Sequence, residues 1–139
     1  MNSNARIRQA AKFHGHLGPY LVLGLICGEV LLKAACAKKH FGIKVLVSGA
    51  AHKPKSCIID GLQLSTGATF GKGNIFKHAG QTVRIKLRNL ENGKEAQILF
   101  KPALKQRLNS LGSHRDSEAF ARKILKMNRS DLFALKIKE

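Results

Sequence analysis

The longest apolar run in the chain, residues 17–37, is the feature that most limits how it can fold. Gly18 and Pro19 near its start suit a chain that turns and then enters a helix, because proline is tolerated in the first helical turn. The run therefore predicts a mostly buried helix from about residue 19 to residue 39. Gly42 is expected to break the chain after that helix.

The same run raises the question of a membrane span or a signal peptide, since 21 largely apolar residues could just cross a bilayer. Glu29 and Lys33 lie within it at the i,i+4 spacing of a helical ion pair, which favours a helix of a globular protein. Gly24 and Gly28 have the spacing of closely packed helices, which predicts contact with a sheet or with a second subunit. This spacing is the reason to expect a homodimer.

The charge of the chain is strongly positive, with 25 lysines and arginines against 8 aspartates and glutamates and a net charge of +17. Such a field attracts anions, which could be nucleic acid, anionic lipid, phosphorylated substrates or an acidic partner protein. The length of 139 residues suits one domain over residues 1–139. The three cysteines are odd in number and include no Cys-x-x-Cys pair, so reduced thiols in the cytoplasm are expected.

Beyond the apolar run, the pattern of the chain predicts an α+β fold. Residues 1–12 carry apolar side chains at helical spacing, and residues 43–48 form a β-branched run that is typical of a buried strand. Alternation of apolar and basic side chains over residues 81–90 indicates a strand with one wet face, and Asn92 with Gly93 predicts a hairpin turn after it. The remaining predicted elements are a helix over 57–65, strands over 69–77 and 96–100, helices over 102–108 and from 116 or 117 to 127, and a final strand over 135–138.

Two histidines and a cysteine are the candidate residues for chemistry. His14 and His16 stand at the mouth of the buried helix, where they could bind a metal, move a proton, or contact only water and backbone. Cys57 falls at the start of the second predicted helix, where free N–H groups and the helix dipole favour a thiolate; the alternative is a small core residue. A thiolate with two imidazoles suits zinc, iron, nickel or copper, and three protein ligands leave one position for water or substrate.

Asp60 and three lysines complete the candidate site. Ser56 is expected to cap the second predicted helix, and Asp60 in its first turn is expected to serve the cap rather than to orient an imidazole from behind. Lys72 lies in a glycine-rich stretch whose spacing matches neither phosphate-binding fingerprint, although it could still attract an anion. Lys53 and Lys55, in the loop before the helix, are expected to draw in an anionic ligand as well.

Three stretches of the sequence carry a resemblance to a known family, namely residues 13–19 (FHGHLGP), 57–63 (CIIDGLQ) and 66–74 (TGATFGKGN). Together they resemble the family of the E subunit of formylmethanofuran dehydrogenase. The resemblance implies an α+β fold in the order helix, strand, helix and then three antiparallel strands, with a mixed sheet packed against helices and with C-terminal helices. It also implies a metal site formed by His14, His16 and Cys57. The resemblance extends over about residues 5–138.

The sequence departs from the pattern of that family in two places. The family usually has cysteine at the positions of Gly18 and Ala68, and the loss of a thiolate at position 18 removes one ligand from the implied set. Some relatives also carry a carboxy-terminal zinc ribbon, for which this sequence contains no Cys-x-x-Cys pair.

These observations support three functional hypotheses. The first is a cytoplasmic domain of the formylmethanofuran dehydrogenase E-subunit type that binds zinc or another transition metal, which would act as a Lewis acid or activate water if the protein is an enzyme. The second is a non-catalytic accessory or scaffold subunit with a decayed metal site, docked through its basic surface to an acidic partner or within a larger oxidoreductase complex. The third is a nucleic-acid-binding module that uses the basic stripe of Arg84, Lys86 and Arg88, although aromatic residues, at 6%, supply few stacking surfaces. We expect no association with a membrane.

Overall fold

The computed structural model describes residues 3–139, so Met1 and Asn2, which the sequence places in the first predicted helix, lie outside the described residues. The chain has three consecutive strands in its middle and helices mainly before and after them, and the predicted α+β fold is confirmed. The elements in chain order are α1 (Ser3–His14), α2 (Pro19–Ala34), β1 (Ile43–Ser48), a 3-10 turn (Lys55–Cys57), α3 (Ile58–Thr66), β2 (Ile75–His78), β3 (Arg84–Asn89), β4 (Glu95–Phe100), α4 (Pro102–Asn109), α5 (His114–Ile124), α6 (Arg129–Leu132) and β5 (Phe133–Lys138).

Five strands form one mixed sheet in the order β2-β1-β3-β4-β5. β1 pairs in parallel with β2 and antiparallel with β3, and the β3–β4 and β4–β5 pairs are antiparallel. Val45 in β1 lies opposite Ile75 on one side and Leu87 on the other, and all three side chains are buried. Alternate residues of β1, β3 and β4 face the core beneath the helices, so the expected mixed sheet packed against helices is confirmed.

α2 packs closely against α3 because glycines stand where the two backbones meet. A Cβ atom placed on Gly24 would lie 2.8 Å from Cα of Gly61, well inside a carbon–carbon contact. Ser65 lies beside Gly28, and its hydroxyl donates to the carbonyl oxygen of Gly24 at 2.9 Å. The predicted close packing is therefore made with another helix of the same chain, and the glycine spacing no longer argues for a homodimer.

α2 ends at Ala34 instead of near residue 39, because a distant strand caps it. The buried side chain of Asn89 in β3 donates to the carbonyl oxygens of Ala35, at 3.0 Å, and Cys36, at 3.1 Å. Cys36 has a φ of +53°, in the left-handed region that ends helices. With α2 only 16 residues long, no helix within residues 3–139 is long and apolar enough to cross a membrane.

The strand predicted over residues 69–77 is shorter in the structure, where β2 spans only Ile75–His78. The residues before it form a tight turn instead. In this turn the N–H of Thr69 donates to Oδ1 of Asn74 at 2.9 Å, and the N–H of Gly73 donates to the carbonyl oxygen of Thr69 at 3.0 Å. Gly73 has a φ of +71°, which glycine adopts without steric cost, so the glycines of this stretch serve a turn and not a strand.

Candidate functional site

A cavity of about 380 Å³ opens where the end of α1, the start of α2, the 3-10 turn and helices α4 and α5 come together. Leucines contribute much of its apolar wall, and segments far apart in the sequence supply its polar groups, as is typical of ligand sites. The side chains on its wall that can bind a metal or an anion are His14, His16, Lys53, Cys57 and His114.

His14, the last residue of α1, is held by Asp60 in the first turn of α3. Nδ1 of His14 lies 2.6 Å from Oδ2 of Asp60, and the His14 side chain is only 9% exposed. Because a carboxylate only accepts hydrogen bonds, Nδ1 carries a hydrogen and donates it to Asp60. Nε2, on the other side of the ring, is buried and has no hydrogen-bond partner among the described residues. Burying a polar atom without a partner costs free energy, so the lone pair of Nε2 is available to bind a ligand.

Gly15 lets the chain place His16 next to His14. Its φ is +108°, a conformation that side chains disfavour, and its N–H donates to the carbonyl oxygen of Ala11 at 2.8 Å. The ring centroids of His14 and His16 are 4.8 Å apart. The His-Gly-His spacing therefore puts two imidazoles side by side, one buried and one exposed.

Cys57 lies at the N-cap position of α3 and is half-buried. Burial raises the pKa of its thiol, the negative charge of Asp60 raises it further, and the charge of Lys53 lowers it. The prediction that the helix start would favour a thiolate is therefore wrong, because burial and the carboxylate of Asp60 raise the pKa of this thiol. A metal that binds this sulfur must displace the thiol proton.

The expected cap at the start of α3 is absent. Ser56, which was expected to supply it, lies inside the 3-10 turn, and no side chain at the N-cap makes a capping hydrogen bond in this described part of the chain. Asp60 occupies the first turn as expected, where its charge suits the helix dipole. Its described hydrogen bond is to His14, so this carboxylate orients an imidazole, which was the less favoured alternative.

The three lysines expected to attract an anion lie in different places. Lys53 lines the cavity beside Cys57. Lys55 lines a separate cavity of about 140 Å³. Lys72 lies on the turn before β2, where its Nζ is 5.7 Å from the ring centroid of Phe41. Of these three cations, the structure places only Lys53 on the wall of the histidine-containing cavity.

His114 also lines the cavity, and sequence analysis missed it. It is the first residue of α5, and its ring centroid lies 6.2 Å from that of His16. The helix was predicted to start at residue 116 or 117, but Ser113 caps it earlier, with its hydroxyl accepting from the N–H of Asp116 at 3.1 Å. The spacing of Ser113 and Asp116 is an N-cap signal that could have placed the helix start at His114; nothing local shows that the helix packs beside the other histidines.

These donors are close together but do not form a ready-made metal site. Within residues 3–139, no three His, Cys, Asp or Glu side chains are arranged as a metal-binding group. The donor types nevertheless fit a transition metal, because imidazole nitrogen and thiolate sulfur suit ions of borderline softness. The partnerless Nε2 of His14 is the atom that most clearly lacks a bond.

The fold and the cavity define a class of protein, a small α+β domain with a mixed sheet packed against helices and, between the helices, a pocket of histidine and cysteine donors. A family model described as "FmdE, Molybdenum formylmethanofuran dehydrogenase operon" matches residues 13–134, which include all of these donors. The chain belongs to this family.

A solved structure also resembles this chain. It is a tungsten formylmethanofuran dehydrogenase E-subunit (FmdE)-like protein from Syntrophus aciditrophicus, with a TM-score of 0.69 and 14% sequence identity. The match covers 98% of this chain and 71% of that one. At this identity, the likeness shows that the two proteins share a fold. No curated protein matches the chain.

Proposed function

We propose that the chain binds a transition metal through His14, His16 and Cys57, with zinc as the first candidate. The observation that carries this proposal is Nε2 of His14, which is buried without a partner in the described part of the chain and belongs to a cavity that the other two side chains also line. Its Nδ1 is bound to the Asp60 carboxylate. Metal-binding histidines commonly have such an acceptor behind the ring, because it sets the tautomer and the orientation.

The donor set favours zinc or a similar ion over magnesium or calcium, which take oxygen ligands. The three side chains line one cavity, and a bound metal would require their donor atoms to move together from the positions they have in this structure. Three protein ligands leave one position for water or a small ligand. A metal bound there would polarise that ligand or lower the pKa of bound water.

The rest of the cavity suits a small anion that carries an apolar group. Lys53 supplies a positive charge on the wall, and the net charge of +17 draws anions towards the whole molecule. Leu108 and Leu111 are among the apolar residues that line the same cavity. A volume of about 380 Å³ has room for a small molecule.

Zinc uptake by the purified protein tests the metal proposal. We expect one zinc per chain after dialysis, and loss of that zinc in Cys57→Ala and in His14→Ala. Cys36→Ala and His78→Ala are matched controls, since neither side chain lines the cavity, and both should keep the zinc. Absence of uptake by the wild type, or full uptake by Cys57→Ala, would contradict the proposal.

We also propose a role as an accessory subunit, because one face of the sheet is open and basic. Side chains of β1, β3, β4 and β5 that point away from the core are exposed or half-buried. The description of the family refers to the operon of an enzyme, which favours a protein partner in a larger complex. The cations on these strands are Lys44, Arg84, Lys86, Arg88, Lys136 and Lys138, and the carboxylate among them is that of Glu95.

An acidic protein surface fits this open face better than nucleic acid does. Among the described strands, the exposed phenylalanine on this face is Phe76 of β2. Nζ of Lys44 already lies 5.1 Å from the centroid of its ring. Base stacking therefore has little to use. Half-buried Leu46 and Leu99 lie among the cations, which gives the face the mixed character of a protein interface.

Charge reversal on this face tests the docking proposal with poly-L-glutamate and a DNA duplex as probes. The double variant Lys86→Glu/Arg88→Glu should bind poly-L-glutamate at least about tenfold more weakly, with affinity falling as salt rises. The control Arg115→Glu/Lys123→Glu makes the same change in net charge on α5 and should bind like the wild type. Equal losses in both variants, or tighter binding of the duplex than of poly-L-glutamate, would contradict docking of an acidic protein here.

A further inference from the structure

We infer that His114 is a fourth, displaceable ligand of the proposed metal site, which an anionic ligand must replace when it binds. This inference rests on the metal binding proposed above. It adds a residue from α5, an element that lies outside the motifs carrying the metal proposal. It also assigns α5 the role of closing the cavity over the metal.

His114 is presented to the cavity by a well-anchored helix. Phe120, Ala121 and Ile124 of α5 are buried in the core, and Ser113 caps the first turn. The His114 side chain is exposed, and no hydrogen bond to another described residue holds its ring. The backbone position is therefore fixed while the ring is free to rotate and exchange partners.

The spacing of the three rings suits a shared metal. Two imidazoles bound to one tetrahedral zinc at about 2.0–2.1 Å have ring centroids about 5 Å apart. The centroids of His14 and His16 are separated by 4.8 Å, and those of His16 and His114 by 6.2 Å. The first value matches the separation in a zinc site and the second exceeds it by about 1 Å, so the His16 and His114 rings must move closer together to share one ion.

Gly18 leaves space beside the His16 ring. A Cβ atom at this position would lie 3.1 Å from Cε1 of His16 and 3.5 Å from its Nδ1, so even an alanine would crowd the ring. Glycine at position 18 therefore leaves the His16 ring free of that contact. Four donors then surround the ion, three imidazole nitrogens and the sulfur of Cys57.

A fourth protein ligand makes the resting site closed, since zinc with four protein ligands has no free position. An anion attracted by Lys53 must then exchange with one of the four. His14 is fixed by Asp60, and the His16 ring lies 4.8 Å from the His14 ring, whereas the exposed His114 ring lies farther away, 6.2 Å from that of His16. His114 is therefore the ligand that leaves.

Titration with Co²⁺, followed by absorption spectroscopy, tests this inference. Wild-type protein should bind one Co²⁺ with the intense visible bands of a four-coordinate site. His114→Ala should bind Co²⁺ at least about tenfold more weakly, and azide should perturb its visible bands at lower concentration than in the wild type. His78→Ala, an exposed histidine outside the cavity, should match the wild type in both respects.

The outcomes separate this inference from the proposal beneath it. If Cys57→Ala loses Co²⁺ while His114→Ala matches the wild type in affinity, spectrum and azide response, His114 is not a ligand and metal binding by the other three residues stands. If the wild type binds no Co²⁺, metal binding is overturned, and this inference fails with it. Thermal melting of His114→Ala should match the wild type, because the side chain is exposed.

Discussion

The Asp60 carboxylate has two effects on the proposed metal site: it binds the His14 ring and it raises the pKa of the Cys57 thiol. The substitution Asp60→Asn separates these effects. Asparagine keeps the size of the side chain but removes its charge, so the 2.6 Å bond to His14 changes from a charge-assisted to a neutral hydrogen bond of roughly half the strength. Loss of such an acceptor behind a metal-binding histidine typically weakens the metal about 10- to 100-fold, which is about 1.4–2.7 kcal/mol. The same substitution removes a negative charge that raises the pKa of the Cys57 thiol.

The two effects have opposite signs, and pH separates them. Zinc binds the thiolate. Below the thiol pKa, each decrease of one pH unit therefore lowers the zinc affinity about tenfold. Asp60→Asn lowers the pKa of Cys57, which makes the proton easier to displace and partly offsets the weakened His14 ligand at neutral pH. At a pH where the thiol is ionised in both proteins, the offset vanishes. Because the pKa of Cys57 is raised above its ordinary value, the higher pH must lie above that raised pKa. The variant should therefore lose more zinc affinity, relative to its parent, at that higher pH than at pH about 7.

Competition with a chromophoric zinc chelator at the two pH values measures this difference. Cys36→Ser is the appropriate parent, because Cys36 is an exposed thiol that would also react with the metal. Asp131→Asn on α6 is the matched control and should leave both affinities unchanged, since it does not line the cavity. The reasoning is refuted if Asp60→Asn binds zinc as tightly as its parent at the higher pH, or if its loss is greater at neutral pH.

Three further predictions concern the framework around the site. Gly24→Ala should lower the free energy of unfolding by about 3 kcal/mol in urea denaturation, because the added Cβ would overlap the backbone of α3. The control Gly112→Ala, whose Cβ would have nothing within 4 Å, should change the free energy of unfolding by less than about 0.5 kcal/mol. Asn89→Ala should cost about 1–3 kcal/mol in the same assay, because it removes the donors to the carbonyl groups at the end of α2. In native protein treated with iodoacetamide, mass spectrometry should detect modification at Cys36 and not at Cys27, since complete burial raises the pKa of the Cys27 thiol. Modification of both cysteines at equal rates would contradict the buried position of Cys27.

The elements with strong local signals were predictable from the sequence. β1 occupies Ile43–Ser48 as the β-branched run indicates, and the turn with Asn92 and Gly93 joins β3 to β4. The errors arise where a distant residue decides the outcome. Asn89, from a strand in the middle of the sheet, stops α2 early, and no local pattern in the apolar run carries that information.

The candidate site shows the same division. The short motif around Gly15 predicts that His14 and His16 lie together, and they do. The direction of the Cys57 pKa shift could not be read from a helix start, because it depends on burial and on Asp60 after folding. His114 is brought to the cavity by the packing of α5, so a lone histidine far along the chain gave no sign of its place. That His14, His16 and Cys57 bind a metal stays a prediction.

X-ray absorption at the zinc edge of the zinc-loaded protein tests the central claim most directly, because it measures the atoms bound to the metal. The account predicts one sulfur at about 2.3 Å, from Cys57, and imidazole nitrogens at about 2.0–2.1 Å in a four-coordinate shell. A shell of oxygen atoms without sulfur, or a spectrum that Cys57→Ala leaves unchanged, would contradict it.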